Sequence, residues 1–293
     1  MKLIRHHYIP QFILRNFSSD RRHLWYFDKI TEQVSRRSIQ ETFMVENLYY
    51  DEINAEDYMK IEKDLARFEN EIANIIKTKI LEKDIVLLTV QEEEKLKVFF
   101  AIMSFRSKQT SFFFGEELSA DSKRFYSKFQ IDGEMSALWK RNLGHLVNCR
   151  SLNEILGNKY IDRPIKVIFA RDIFGLTGMY FSIVKCSNEC ERFVIGDCYP
   201  VAVNGELNNG IPLPLYAIHP LSPTTILLLV GNGSDYAPRN ISHLRECILK
   251  PPILANESVR LRTRKLYPEE ADYLNELIKK HAGEGYAFQK KQL

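Results

Sequence analysis

Tyr58, Ile61, Leu65, Phe68, Ile72, Ile76 and Ile80 recur every three or four positions, the period of one helical face. With Asn54 and Asp57 as a start signal, the spacing predicts a long amphipathic helix. A second start signal, Thr89 with Glu92, precedes Leu96, Val98, Phe99, Phe100, Ile102, Met103 and Phe105. That run is apolar on nearly all sides, which predicts a central, buried helix. Gly115 is the expected stop, and 116–141 continues with helical propensity but a weaker apolar face. Upstream, the aromatic run 23–29, a turn over 28–32 and a second extended run over 33–39 predict a hairpin.

The pattern loosens over 142–164, around Gly144, Gly157 and Pro164, and then changes texture. Strands are expected at 165–170, 178–184, 192–195, 215–218 and 225–230. Pro268 and Glu269 open a last helix through Tyr273, Leu274, Leu277 and Ile278, and 283–293 reads as a frayed end. The fold class is therefore α+β, with an N-terminal hairpin and long antiparallel helices packed with a C-terminal antiparallel β-sheet. A single domain over 1–293 is expected, subdividing weakly into a mainly helical 1–141 and a β-rich 164–293.

Ahead of all these elements stands His6-His7-Tyr8-Ile9-Pro10-Gln11-Phe12-Ile13-Leu14-Arg15-Asn16-Phe17. Chain ends fray unless something holds them, and Ile9, Phe12, Ile13, Leu14 and Phe17 are anchors that would bury this one. Two imidazoles carried inward need hydrogen-bond partners, a metal or a ligand.

Composition narrows the class. At 293 residues, 45% hydrophobic and 27% charged, the chain is globular. Its most apolar runs, 98–105 and 225–230, fall far short of the roughly 20 residues a membrane span needs. Met1-Lys2-Leu3-Ile4-Arg5 runs into histidines and Pro10 rather than a small-residue cleavage site, so no signal peptide is read and a cytoplasmic location is expected. Five scattered cysteines, an odd number, argue for reduced thiols. A net charge of +3 is mild, although Arg36-Arg37 and 260–265 are local basic clusters.

Glycine-rich phosphate loops, a G-x-S-x-G elbow and an H-E-x-x-H helix are absent from the sequence. Cys186 and Cys190 form a lone C-x-x-x-C pair without partners at zinc-site spacing. Arg106 lies one turn past Ile102 and Met103 on an otherwise apolar face, so it needs an acceptor. That acceptor is either Glu62 or Glu69 of the preceding helix, in a structural ion pair, or a carboxylate or phosphate of a ligand. Asp197 follows a hydrophobic strand end, where a turn-forming role competes with a chemical one. His219, Pro220, Ser222 and Pro223 read as a turn between paired strands.

Taken together, these segments resemble a bacterial family known as domain of unknown function 4238. The resemblance rests on the opening H-H-Y-x-P-x-F-x-L-x-x-F pattern, matched at His6, His7, Tyr8, Pro10, Phe12, Leu14 and Phe17. Further matches are Tyr26-Phe27-Asp28-Lys29, Asn47-Leu48-Tyr49, the helix carrying Glu69, the stretch ending in Arg106, the Asp197 to Pro200 element and Pro220-Leu221-Ser222-Pro223. Gly196 stands where the family pattern has a hydroxyl residue, and an extra residue separates Asp197 from Pro200. The resemblance implies that His6, His7, Arg106 and Asp197 belong to one assembly, and it supplies no reaction.

Two function classes follow. In the first, a hydrolase or nuclease-like enzyme acts on nucleic acid or a phosphate-bearing substrate. His7 is then general base or metal ligand, His6 or Asp197 a second ligand or orienting group, and Arg106 the anion stabiliser. Tyr8, Gln11, Glu69 and Ser222 would bind ligand, and a divalent metal is the candidate cofactor. In the second class, the protein is a non-catalytic binding or regulatory protein, or a phage-defence or toxin component. The same cluster is then a structural staple and the basic 260–265 segment meets a partner. The partner expected in either class is nucleic acid or nucleotide, with no membrane.

Overall fold

The structure, a computed structural model, describes residues 4–50, 57–108, 124, 135–170, 179–187, 192–206, 212–231, 251–255 and 257–289. Along the chain come β1 (Arg5–His7), α1 (Gln11–Asn16), β2 (His23–Asp28), β3 (Gln33–Ser38), β4 (Met44–Glu46), α2 (Lys60–Ile75), β5 (Val86–Thr89) and α3 (Val90–Phe105). They are followed by α4 (Met135–Leu146), α5 (Leu152–Gly157), α6 (Arg163–Ile168), β6 (Tyr180–Cys186), β7 (Ile195–Gly196), β8 (Val201–Glu206), β9 (Pro212–Ser222) and β10 (Thr225–Val230). The last elements are β11 (Ile253–Ala255), β12 (Ser258–Leu266), α7 (Pro268–His281) and β13 (Gly285–Phe288). The fold is mixed α+β, with several antiparallel sheets among the described residues. None of the described helices is long and apolar enough to cross a membrane.

Two compact units interleave along the chain. The first comprises Met1–Tyr8, Phe43–Ile72 and Glu94–Leu176, and the second Ile9–Thr42, Ala73–Glu93 and Thr177–Leu293. The chain thus leaves the first unit inside the opening segment, between Tyr8 and Ile9.

In the first unit β1 pairs antiparallel with β4, setting His6 opposite Val45. Asn47 closes this ribbon, its backbone N–H donating to the Ile4 carbonyl at 2.7 Å while its side-chain oxygen accepts the Ile4 N–H at 3.0 Å. Its φ of 55° lies in the left-handed region, which asparagine tolerates better than most residues. The apolar faces of α2 and α3 meet where Phe68 and Phe99 pack edge to face at 5.7 Å. Phe105, at the end of α3, contacts Trp139 of α4 and Phe169, with ring centroids 6.4 and 6.0 Å away. The strand expected at 165–170 is instead α6. Pro164 falls in the first turn, where its fixed φ and missing N–H suit a helix, and this outweighs the β propensity of Ile165, Val167 and Ile168.

The second unit holds a seven-stranded sheet of order β11-β12-β6-β10-β9-β8 with β5 also on β12, antiparallel except for the β12–β6 pair. It also holds a four-stranded sheet of order β3-β2-β13-β7. Val184, Ile218, Ile226 and Leu228 of the larger sheet share one buried cluster with Leu274 and Ile278 of α7 and Phe288 of β13.

Three expectations are corrected in this unit. Residues 285–288 do not fray but form β13, an inner strand between β2 and β7, and Gly285 permits it because a Cβ there would lie 2.3 Å from the Phe27 carbonyl oxygen. His219 is not in a turn: it lies within β9 opposite Leu227 and is buried, and the connection to β10 is made by Pro223 and Thr224. The basic 260–265 segment, expected only as a local basic cluster and not as a strand, belongs to β12, which pairs with β11 over 258–260, with β5 over 258–261 and with β6 over 262–266, while Arg260 and Arg262 stay exposed. The expected stop at Gly115, most of the 116–134 continuation, Cys190 and Cys247 lie outside the described residues. Cys149, Cys186 and Cys198 are free thiols.

Candidate functional site

Arg106 is the largest fully buried side chain of the first unit, extending the α3 hydrogen-bond ladder by donating its backbone N–H to the Ile102 carbonyl at 2.8 Å. A guanidinium so placed must fill all its directions with acceptors. Nη1 donates to Glu69 Oε1 of α2 at 2.6 Å, Nη2 to the His7 carbonyl at 2.5 Å and Nε to the Tyr8 carbonyl at 3.3 Å. The Tyr49 hydroxyl donates to the Arg106 carbonyl at 3.3 Å, and the guanidinium carbon stands 5.6 Å from the Tyr49 ring centre. Three sequence-read elements therefore converge on Arg106: the histidine pair with Tyr8, the Asn47-Leu48-Tyr49 element and Glu69. Of the two acceptor types open to Arg106, the structure shows the ion pair with Glu69.

His6 is wholly buried. Its Nδ1 faces the Tyr49 backbone N–H at 3.1 Å and accepts from it, which puts the ring proton on Nε2. Nε2 is buried and has no hydrogen-bond partner among the described residues. Burial, together with the positive fields of Arg106, His7 and Lys140, lowers the imidazole pKa to about 4, so the ring is neutral near pH 7. The Tyr49 ring lies 5.2 Å from it and Trp139 a further 6.0 Å beyond Tyr49. Trp139 is fixed in turn by donating its indole N–H to the Phe105 carbonyl at 3.0 Å. His7 is buried as well, and its backbone carbonyl accepts from Arg106.

Glu62 lies two helical turns before Glu69 on α2, hence on the same face. Burial raises its carboxyl pKa to about 7, against the opposing pull of Arg106 and with a further push from Glu69. Sequence reasoning treats Glu62 only as an alternative ion-pair partner for Arg106. The i, i+7 spacing from Glu69 is the signal that marks it as a second carboxyl near the same guanidinium. Lys140 and Trp139 carry no such signal, because they reach the cluster from a helix distant in sequence.

The other candidates belong to the second unit. Asp197 is buried just after β7, and its carboxylate accepts the Gly283 N–H at 2.8 Å and the Glu284 N–H at 2.7 Å. Those amides lie in the turn from α7 to β13, where Lys29 also donates to the Ala282 carbonyl at 2.5 Å. The space beside Gly196 is tight, since a Cβ there would sit 3.3 Å from Ala282 Cβ and 3.4 Å from Ile278 Cγ2. Gln11 is half-buried on α1 and accepts from Arg15 at 2.9 Å, and Ser222 is buried with its hydroxyl 3.3 Å from that of Thr224. His219 packs edge to face against Tyr199 at 5.8 Å, and burial lowers its pKa to about 3. Among the described residues no group of three or more His, Cys, Asp or Glu side chains could hold a metal ion.

Fold and site together define a mixed α+β protein whose opening segment is clasped by a buried arginine. The chain belongs to the family described as Protein of unknown function (DUF4238), with the match covering residues 5–292. No curated protein and no solved structure matches it.

Proposed function

We propose that the protein is a non-catalytic binding or regulatory protein in which the Arg106 cluster is a structural staple and β12 meets an anionic partner, nucleic acid or nucleotide. The observation that carries this reading is the engagement of Arg106: each guanidinium nitrogen already donates one bond to an acceptor within the fold, which favours a structural role over a fork for a phosphate. Asp197, the acid that a catalytic reading needs as metal ligand or orienting group, is likewise committed to two backbone amides. Support for β12 as the contact comes from Arg260 and Arg262, exposed at alternate positions of one strand face. Arg260 stands opposite Leu87 and Ile253, which are 50% and 42% exposed, so a cation sits between two open apolar side chains.

The test is fluorescence anisotropy of the purified chain with labelled single-stranded and double-stranded DNA and RNA, run beside gel assays for cleavage with Mg²⁺ or Mn²⁺. Binding that falls with added salt, weakens in the R260E/R262E double variant and yields no product is the expected result. A second reading, a hydrolase or nuclease-like enzyme, is favoured by one observation. Glu62 has a pKa of about 7, suited to proton transfer at neutral pH. Cleavage that disappears in E62Q while binding persists would overturn the first reading in favour of the second.

A further inference from the structure

We propose that the His6 ring is a ligand site of its own, whose Nε2–H donates to an oxygen of a small anion bearing a carboxylate or a phosphate. The site is confined to the first unit and does not depend on the β12 face. Its geometry gives four reasons. The tautomer is set, because Nδ1 is engaged by the Tyr49 amide and Nε2 must carry the proton. That proton meets neither solvent nor any acceptor among the described residues, and burying a donor with its hydrogen bond unmade is a penalty that an incoming acceptor removes.

The charge around the ring selects the sign of the ligand. Arg106 and Lys140 both place positive potential at His6, while Glu69 and Glu62 both act on Arg106. Across neutral pH the ring stays neutral, so Nε2 remains a donor and the ammonium of Lys140 supplies the attraction. Entry is by local opening: β1 is three residues long and pairs with β4 alone among the described residues, and its parting also releases the His7 and Tyr8 carbonyls from Arg106.

The experiment uses the full chain labelled with ¹⁵N-histidine, in which long-range ¹H–¹⁵N spectra report Nδ1 and Nε2 separately. Inorganic phosphate and acetate are titrated in parallel, with sodium chloride matching ionic strength. Saturable movement of the His6 Nε2 signal with phosphate, acetate or both is the expected result and tells the two anion classes apart. A rise in melting temperature with the same anion, absent in His6→Asn, is expected alongside, since a ligand that binds only the folded state stabilises it by mass action. His6→Asn keeps an acceptor for the Tyr49 amide, and should it fail to fold, the wild-type spectrum decides alone. An Nε2 signal that stays fixed with both anions to tens of millimolar, its proton in contact with water only, overturns the proposal.

Discussion

Arg106 in the first unit and Asp197 in the second are both buried charges on residues that a catalytic reading would choose, and the fold satisfies them differently. Arg106 is met by an opposite charge on α2 and by two carbonyls of the opening segment, each far away in sequence. Asp197 is met by the backbone amides of one turn at the end of α7, itself 86 and 87 residues along the chain. Arg106 therefore ties two separate segments to its own helix, whereas Asp197 pins one distant turn. His6 is the third term of the comparison, because its Nδ1 is engaged and its Nε2 is not. The polar atom left open, rather than the charge already closed, is where chemistry has room.

The largest effect is expected at Arg106. Arg106→Ala removes the counter-ion of Glu69 and strands two buried carbonyls, which should destabilise the protein by about 3–5 kcal/mol in urea unfolding. A variant of near wild-type stability would place Arg106 outside the staple. Asp197→Ala should cost less, roughly 1.5–3 kcal/mol, the range for hydrogen bonds to a charged group. Hydrogen exchange should then speed up at Gly283 and Glu284. Loss confined to these amides would sharpen the contrast with Arg106, and global unfolding would break it.

A smaller effect separates the two titrating neighbours of Arg106. Glu62 holds its proton to about pH 7 in the fold against an ordinary 4.5, so between these values the folded state binds more protons than the unfolded one. Its contribution therefore falls as pH rises. His6, lowered from 6.5 to about 4, has the opposite sign: the unfolded state binds more protons in that window, and stability rises with pH. In the wild type the two slopes oppose each other between pH 4.5 and 6.5. Glu62→Gln should expose a rising slope and His6→Asn a falling one, each at most about 1.4 kcal/mol per pH unit. Melting curves at pH 5 and 6 check both signs, and equal slopes in the two variants would contradict the assignment.

The sequence pattern reaches some of this and stops short of the rest for physical reasons. An arginine on an apolar helix face demands a partner, and Glu69 is within the short list that helix spacing allows, so this pair is readable. The carbonyls of His7 and Tyr8 are not, since backbone acceptors leave no mark on composition. Thr89 and Glu92 announce the start of α3 by local chemistry, and the structure shows their reciprocal bonds at 2.9 and 3.1 Å. β13 and β12 are hidden because their evidence is non-local. Gly285 looks like a breaker until the neighbouring β2 leaves no room for a Cβ there. The arginines of β12 do form an exposed face, and what their charge hides is the strand itself, because the buried Val259 and Leu261 that alternate with them are too few to mark it. The propensity of 165–170 for strand is real but weaker than the helix start that Pro164 permits.

A double-mutant cycle between Arg106 and Glu69 tests the central claim most directly. Arg106→Met, Glu69→Met and the double variant are compared with wild type by urea unfolding, with the slope of the transition checked for two-state behaviour. The account predicts that each single change is strongly destabilising and that the double variant is more stable than the sum of the singles allows. The expected coupling is about 1–3 kcal/mol, because removing both charges leaves neither one buried alone. Singles that are mild and strictly additive would contradict it, and would return Arg106 to the status of a fork awaiting a ligand.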